Sequence, residues 1–493
     1  MRYDESVSTC TYHVENFGCR ATQADGAAIE QQFALRGLNR AAASDADLVV
    51  LNTCTVTNSA DQDARAAIRR VLRQNPTAKI IVTGCYAQRA PQEIAFLPGV
   101  SAVIGNSHKH QLAEIVLDRV SQQVANDCLL SAAALTENWE LRTENWENSI
   151  HVSDIFAHTE LLAAPVFESN GRTRPNLKVQ DGCDNRCSFC VIPSVRGHSR
   201  SLPLEEVIAE ANALVAAGYR ELVISGINLG RWGRDLSNTA QFQRPTTNNQ
   251  RPTTGHPRLA TLIHAILDQT CLQRLRISSV EPMDWTDELI RLVADSSRIA
   301  KHAHVPLQSG SDAVLRRMHR KYRPWHYREK IENIHASMAD AAIGADVMVG
   351  FPGETDAEFE CTRRLIEELP FTYLHVFTYS ARPGTPAAGM RNQVPVHVAR
   401  ERNKVLRDLG AEKKRAFMRR FVGKTIEAIT LGVDGVSGRE GIHHAGHETV
   451  VTFTEALTDN YQKLLVRERH APNQWVTVRI EQVQDAAFLG QLV

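Results

Sequence analysis

Short runs of consecutive apolar residues recur from the start of the chain to about residue 380, and the longer stretches between them space their apolar positions three or four apart. Unbroken runs read as strands buried on both faces of a parallel sheet, and the wider spacing as the helices that cover it. In the first quarter this predicts strands at Tyr12–Phe17, Ala46–Asn52 and Lys79–Thr83, with helices at about Thr22–Arg36 and Ser59–Gln74. The alternation resumes with strands at Leu177–Gln180, Glu221–Ser225, Gln273–Ser278, His302–Pro306, Ile343–Val349 and Tyr373–Phe377, and a helix at Leu204–Ala217. Repeated strand–helix units of this kind build a (β/α) barrel, whole or partial. After residue 421 the pattern changes to β-like runs at Thr425–Thr430, Glu448–Phe453, Gln462–Val466 and Trp475–Ile480, the sign of a small β-barrel.

The fold class is therefore α/β: an N-terminal parallel-sheet domain at 8–120, a central (β/α) partial barrel at 171–397, and a small C-terminal β-barrel at 421–493. Residues 121–170 read as a linker or insertion, in which Thr136–Glu140 recurs as Thr143–Glu147, and 398–420 as a connecting helix. A polar tract at 236–257, where Arg-Pro-Thr-Thr occurs twice, reads as a disordered surface insertion. A length of 493 residues suits roughly three domains.

Composition narrows the function classes. Basic and acidic residues balance at 56 each, so any nucleic-acid surface must be local. No apolar run reaches the ~18 residues of a membrane span, and the first residues lack the apolar core of a signal peptide. Ten cysteines in such a chain are expected as thiols or metal ligands in a reducing cytoplasm.

Six of those cysteines carry the chemistry. Cys183, Cys187 and Cys190 form a C-x3-C-x2-C run in the loop after a predicted strand. Closely spaced thiolates hold iron–sulfur clusters, and three ligands leave a fourth corner open to something other than protein. That is the pattern of a radical S-adenosylmethionine (SAM) enzyme, with Phe189 between the last two cysteines. Cys19, Cys54 and Cys85 are distant in sequence, but each follows a predicted strand. The carboxyl ends of parallel strands share one edge of the sheet, so these three are expected to converge. Cys10, Cys128, Cys271 and Cys361 match neither arrangement and are expected to be dispensable. Strand-end residues Gly226, Ser279, Glu281, Gln308, Gly350 and Gly353 are candidates for binding SAM.

These motifs resemble the radical SAM methylthiotransferases over nearly the whole chain. The resemblance is carried by the two cysteine triplets, by Val305–Ser311, Gly350–Thr355 and Tyr379–Pro386, and by Thr458–Tyr461, which is similar to part of the family's C-terminal TRAM domain. It implies two [4Fe-4S] clusters, one on Cys19, Cys54 and Cys85 and one SAM-coordinated on Cys183, Cys187 and Cys190. It also implies a methylthio group placed on a substrate carbon after radical cleavage of SAM, a flavodoxin- or ferredoxin-like electron donor and a sulfur source. Asn52–Asp61, Gly197–Ser201 and Gly226–Gly230 resemble the MtaB type, which acts on C2 of N6-threonylcarbamoyladenosine at position 37 of tRNA. Alternatives are the RimO type, acting on a ribosomal-protein aspartate, and the MiaB type, acting on isopentenyladenosine in tRNA. A non-enzymatic iron–sulfur protein that binds nucleic acid is a third. The motif after Cys19 continues Ala-Thr-Gln-Ala-Asp25, departing from the Asn and Glu that tRNA-type relatives carry beside that glutamine.

The nucleic-acid surface is expected on the helix around 398–424, where ten Lys or Arg face three acids, with Lys413, Lys414 and Arg415 as tRNA contacts. The C-terminal region has six basic against nine acidic residues, so its phosphate contacts would come from that helix. The protein is expected to be a cytoplasmic monomer without membrane contact.

Overall fold

The structure, a computed structural model, describes residues 10–119, 149–162, 173–236, 258–432, 440–444 and 447–493. Cys128, the duplicated run at 136–147 and the tract at 237–257 lie outside the described residues.

The N-terminal domain is a six-stranded parallel sheet. Its strands are β1 (Thr11–Asn16), β2 (Asn39–Arg40), β3 (Leu48–Thr53), β4 (Lys79–Gly84), β5 (Val100–Gly105) and β6 (Ser149–His151), in the order β2-β1-β3-β4-β5-β6. The all-buried run of β3 sits mid-sheet, covered on both faces. Ile68 and Val71 of helix Asn58–Gln74 pack on Leu51 and Val82, and Ile29 and Phe33 of helix Arg20–Ala34 pack on Val50 and Ile81 from the other side. β6 falls where the sequence suggests a linker; its three residues pair with β5 and extend the sheet, too short a run for apolar patterning to register.

The central domain curls six parallel strands in the order β7 (Asn176–Asp181), β9 (Glu221–Gly226), β10 (Arg274–Ile277), β11 (His302–His304), β12 (Ala342–Val349) and β13 (Tyr373–Thr378), with β8 (Arg200–Ser201) antiparallel at the edge. Between β10 and β11 the ladder thins to a bridge at Leu275–Ile299 and one bond from Val280 N to His304 O. The sheet stays open, a partial barrel whose lumen meets the N-terminal domain.

The C-terminal domain is a closed five-stranded barrel of β14 (Thr425–Thr430), β17 (Phe453–Thr458), β18 (Lys463–Arg467), β19 (Trp475–Gln484) and β20 (Ala487–Leu492), with a hairpin of β15 (Glu440–His444) and β16 (His447–Val451) outside it. Helix Val396–Arg419 leads in, and Phe417 and Met418 at its end, with Phe421, join the barrel core beside Val466 and Phe488. No described helix is long and apolar enough to cross a membrane.

Candidate active site

The first triplet converges as the strand-end argument expects. Cys19 is the N-cap of helix Arg20–Ala34, Cys54 follows β3, and Cys85 opens the short helix after β4. Gly18 and Gly84, each just before a cysteine, adopt φ of 104° and 98°, and a side chain at either would collide: a Cβ on Gly18 would lie 2.5 Å from Cys54 Cβ, and one on Gly84 2.3 Å from Thr53 O. Glycine is what lets the backbones close around the thiols. Burial pushes the Cys54 thiol up to about 12, and the neighbouring Cys85 and Cys19 sulfurs add to the rise.

The second triplet lies in the loop after β7. Burial likewise raises Cys183 and takes Cys190 to about 12, with Cys187 contributing to both. Asn228 Nδ2 lies 3.5 Å from Cys183 Sγ and Arg320 Nη1 3.2 Å from Cys187 Sγ. Arg320 also pairs with Glu281, whose own carboxyl is raised by burial against that cation's pull. Sequence reasoning did not single out Arg320 or Asn228; each lies far along the chain from the cysteines.

One cavity of about 670 Å³ joins the two triplets, a volume suited to a sizeable ligand. Cys19 reaches it from the N-terminal domain and Cys183, Cys187 and Cys190 from the central one; Cys54 and Cys85 are buried and do not line it. Val191 and Val195, just past the second triplet, pack against Cys85. Gly226, Ser279, Glu281 and Gln308 also line the cavity. Gln308 holds the left-handed φ of 63°, a strained conformation for a side-chain-bearing residue. Gly350 and Gly353 do not line it. The turn after β12 faces helix Val396–Arg419 instead, where Gly350 N donates to Glu354 Oε2 (2.7 Å), which binds Arg402 (2.7 Å). These glycines serve the turn and the docking of that helix.

Two buried polar joints clamp the N-terminal domain to the central one. In the first, Lys109 Nζ and Arg196 Nη2 each reach Asp25 Oδ2 at 3.0 Å, Lys178 bonds Asp25 and, at 3.1 Å, Asp181, and Arg196 Nη1 reaches both Asp181 oxygens at 2.9 Å. Burial alone would raise the Asp25 carboxyl; Lys109, Lys178 and Arg196 together hold it well below the usual carboxylate range. Three cations against two acids leave this joint with a net positive charge, and the field of Cys85 and Cys19 reaches Arg196. In the second joint, buried Arg382 bonds Thr55 Oγ1 at 2.7 Å and pairs with Asn58 and Asp61, so the Tyr379–Pro386 motif pins the loop that carries Cys54.

The cavity wall formed by β11 to β13 is polar: His302, His304, Asp346, Tyr373 and His375 line it, and Tyr461 of the C-terminal domain stacks against His302 with ring centres 4.6 Å apart. None of these was a sequence-based candidate, because alternating His and Tyr on a strand carry no local motif. The expected tRNA contacts divide. Lys413 Nζ donates to Glu367 O at 2.7 Å, tying the helix to the domain beneath it. Lys414 and Arg415 have no acid partner among the described residues; Lys414 is half-buried beside Tyr461, and Arg415 is exposed.

Comparison with known proteins extends this picture. Residues 11–105 match the family described as uncharacterized protein family UPF0004, and residues 177–366 match the radical SAM superfamily. The chain is 35% identical over 462 residues to the threonylcarbamoyladenosine tRNA methylthiotransferase MtaB of Bacillus subtilis, covering 94% of this chain and 91% of that protein. It is 33% identical to the Chlamydia pneumoniae protein of the same name, covering 98% of each. A tRNA-2-methylthio-N6-dimethylallyladenosine synthase of Novosphingobium aromaticivorans is 36% identical, covering 86% of this chain and 87% of that one. Among solved structures, the radical SAM methyltransferase TsrM of Kitasatospora setae superposes with a TM-score of 0.51 at 14% identity, over 77% of this chain and 75% of that one, a likeness of fold.

Proposed function

The chain belongs to the radical SAM methylthiotransferases, and from that premise we propose that it adds a methylthio group to C2 of N6-threonylcarbamoyladenosine at position 37 of tRNA. The observation that carries the proposal is the single cavity that Cys19 of the first triplet and all three cysteines of the second line together. A transfer joining radical chemistry to sulfur delivery needs both reactive sites within reach of one substrate atom.

The donor sets fit two clusters. The second triplet sits in one strand-end loop and the first on three neighbouring strand ends, and each has a guanidinium whose charge reaches it: Arg320 for the second, Arg196 of the net-positive joint for the first. Uncompensated positive charge buried beside three thiols suits an anionic thiolate-bound cluster. Cys183, Cys187 and Cys190 would hold the SAM-coordinated cluster, and Cys19, Cys54 and Cys85 the auxiliary one. When bound, the first supplies the electron that cleaves SAM to a 5′-deoxyadenosyl radical, and the second supplies a site for the transferred sulfur.

The chain's own residues bind and orient. The Glu281–Arg320 pair, which lines the cavity with Arg320 beside Cys187, is where we place the amino and carboxylate groups of SAM. Asn228 and Arg320 donate toward the Cys183 and Cys187 sulfurs. Side chains from all three domains line the cavity. A flavodoxin- or ferredoxin-like protein supplies electrons, and a separate donor supplies sulfur.

Mass spectrometry of tRNA nucleosides from cells lacking the protein tests the reading. Loss of 2-methylthio-N6-threonylcarbamoyladenosine, with other methylthio nucleosides unchanged, is expected. An unchanged level of that nucleoside, or loss of the isopentenyl form instead, overturns it.

A further inference from the structure

The polar wall opposite the thiols is built as one connected unit. Tyr373 Oη lies 2.7 Å from His302 Nε2 and 3.0 Å from His304 Nδ1. Asp346 Oδ1 lies 3.1 Å from His304 Nε2 and 3.3 Å from His375 Nδ1. Both inner imidazoles are more than nine-tenths buried, and His302 Nδ1 has no hydrogen-bond partner among the described residues. His375 is the open member, with 53% of its side chain exposed.

Arg20 completes the wall. It follows Cys19 directly, lines the same cavity, and makes no ion pair or hydrogen bond through its guanidinium among the described residues. Its charge is felt at His302 and Tyr373. The other two arginines of the cavity are already engaged, Arg276 with buried Glu221 at 2.8 Å and Arg320 with Glu281. The wall thus presents one guanidinium unengaged among the described residues, one buried imidazole nitrogen without a partner, and a carboxylate held ionised by His304 and His375. An apolar branched occupant would cover these groups without satisfying them, which is costly for the buried ones. An occupant with a carboxylate, a hydroxyl and amide N–H groups would satisfy them.

We propose that this wall is the subsite for an anionic, hydroxyl-bearing N6 substituent on the target adenosine, with Arg20 binding its carboxylate and His375 and Asp346 its hydroxyl and amide groups. The inference rests on the tRNA reading above and adds the residues that set its substrate class. It also gives the adjacency of Cys19 and Arg20 a use: a base held by its N6 tail at Arg20 is registered against the neighbouring cysteine.

The test uses cluster-loaded full-length protein and three anticodon stem-loops, carrying threonylcarbamoyladenosine, isopentenyladenosine or unmodified adenosine. Wild-type protein should bind the first most tightly. Arg20→Gln should lower kcat/KM on it roughly 10- to 100-fold, mostly through KM, as befits a lost charge-assisted hydrogen bond. It should also abolish the binding preference while leaving affinity for the unmodified stem-loop unchanged, and Arg20→Lys should restore part of the preference. Because Arg20 adjoins Cys19, iron content is measured in parallel. Should Arg20→Gln lose iron, His375→Phe, on a strand that carries no cysteine ligand, provides the same comparison. Variants that keep the wild-type preference overturn the inference and leave the tRNA reading standing. Wild-type protein that favours the isopentenyl stem-loop overturns both.

Discussion

Changing Asp25 to Asn probes the joint between the first two domains. The substitution keeps the shape of a side chain that is 2% exposed and removes its charge. Asp25 is the one acid that touches all three cations, Lys109 and Arg196 at 3.0 Å and Lys178 as well, so three cations would be left facing Asp181 alone. Removing one member of a buried ion network costs about 3–5 kcal/mol, because the remaining charges keep their desolvation penalty without its compensation. Guanidinium unfolding of the metal-free protein, followed through buried Trp232 and Trp285 of the central domain, should show a lower midpoint with an unchanged slope. Adding Lys109→Met restores the original charge balance, since Asp181, Lys178 and Arg196 again sum to one net positive charge. The double variant should therefore be less destabilised than the single acid variant, with a coupling of about 1–3 kcal/mol. The pH dependence has a definite sign. The folded-state carboxyls of Asp25 and Asp181 lie below their unfolded values, so their contribution is full above about pH 4 and falls away as the pH drops further. A loss under about 1 kcal/mol for Asp25→Asn, or strict additivity with Lys109→Met, would refute the view that charge holds this joint.

Further outcomes follow from the site. Replacing Cys183, Cys187 and Cys190 with Ala should leave about half of the iron in anaerobically reconstituted protein; retention of all or none would contradict two separate clusters. Changing Cys10, Cys271 or Cys361 to Ala should leave iron content and activity near wild type, since Cys10 precedes β1, at the opposite edge of the sheet from the first triplet, and Cys271 and Cys361 are exposed. Arg320→Met should reduce SAM cleavage by at least about tenfold by stranding Glu281 in the wall, and wild-type cleavage would remove Arg320 from the site. Changing Lys413, Lys414 and Arg415 to Ala should lower the salt slope of tRNA binding by roughly 1.5 units, from the two unpaired cations, while Lys413→Ala alone should weaken helix docking more than binding.

Legibility in the sequence followed the range of the interactions. The second triplet is a local motif and could be read directly; the first was inferred from strand ends and appears where parallel topology places it. The partial barrel and the small closed barrel followed from apolar runs, whereas β5, β6 and β20 went unseen, and the run read as one strand at Glu448–Phe453 divides between β16, outside the barrel, and β17 within it. Asp25 stood out only as a departure in a motif. Its meaning lies in partners 84, 153 and 171 residues away, which no local reading supplies. The polar wall was hidden for the same reason, since three separate strands bring His302, Asp346 and His375 to one lumen. The basic helix was found by composition, but only packing tells which of its cations are already engaged.

Tyr461 has a bearing on how the protein comes into being. Arg276 holds the backbone before it, bonding Thr458 O at 3.2 Å and Asp459 O at 3.1 Å, while its ring closes over His302 in the lumen. Cys19 leaves the ribosome long before Tyr461, yet they border one chamber. A nascent chain halted before residue 458 would hold all six of these cysteines and still lack one part of the wall beside them. The order of synthesis thus separates the two: the thiols are made well before the residue that completes the wall beside them.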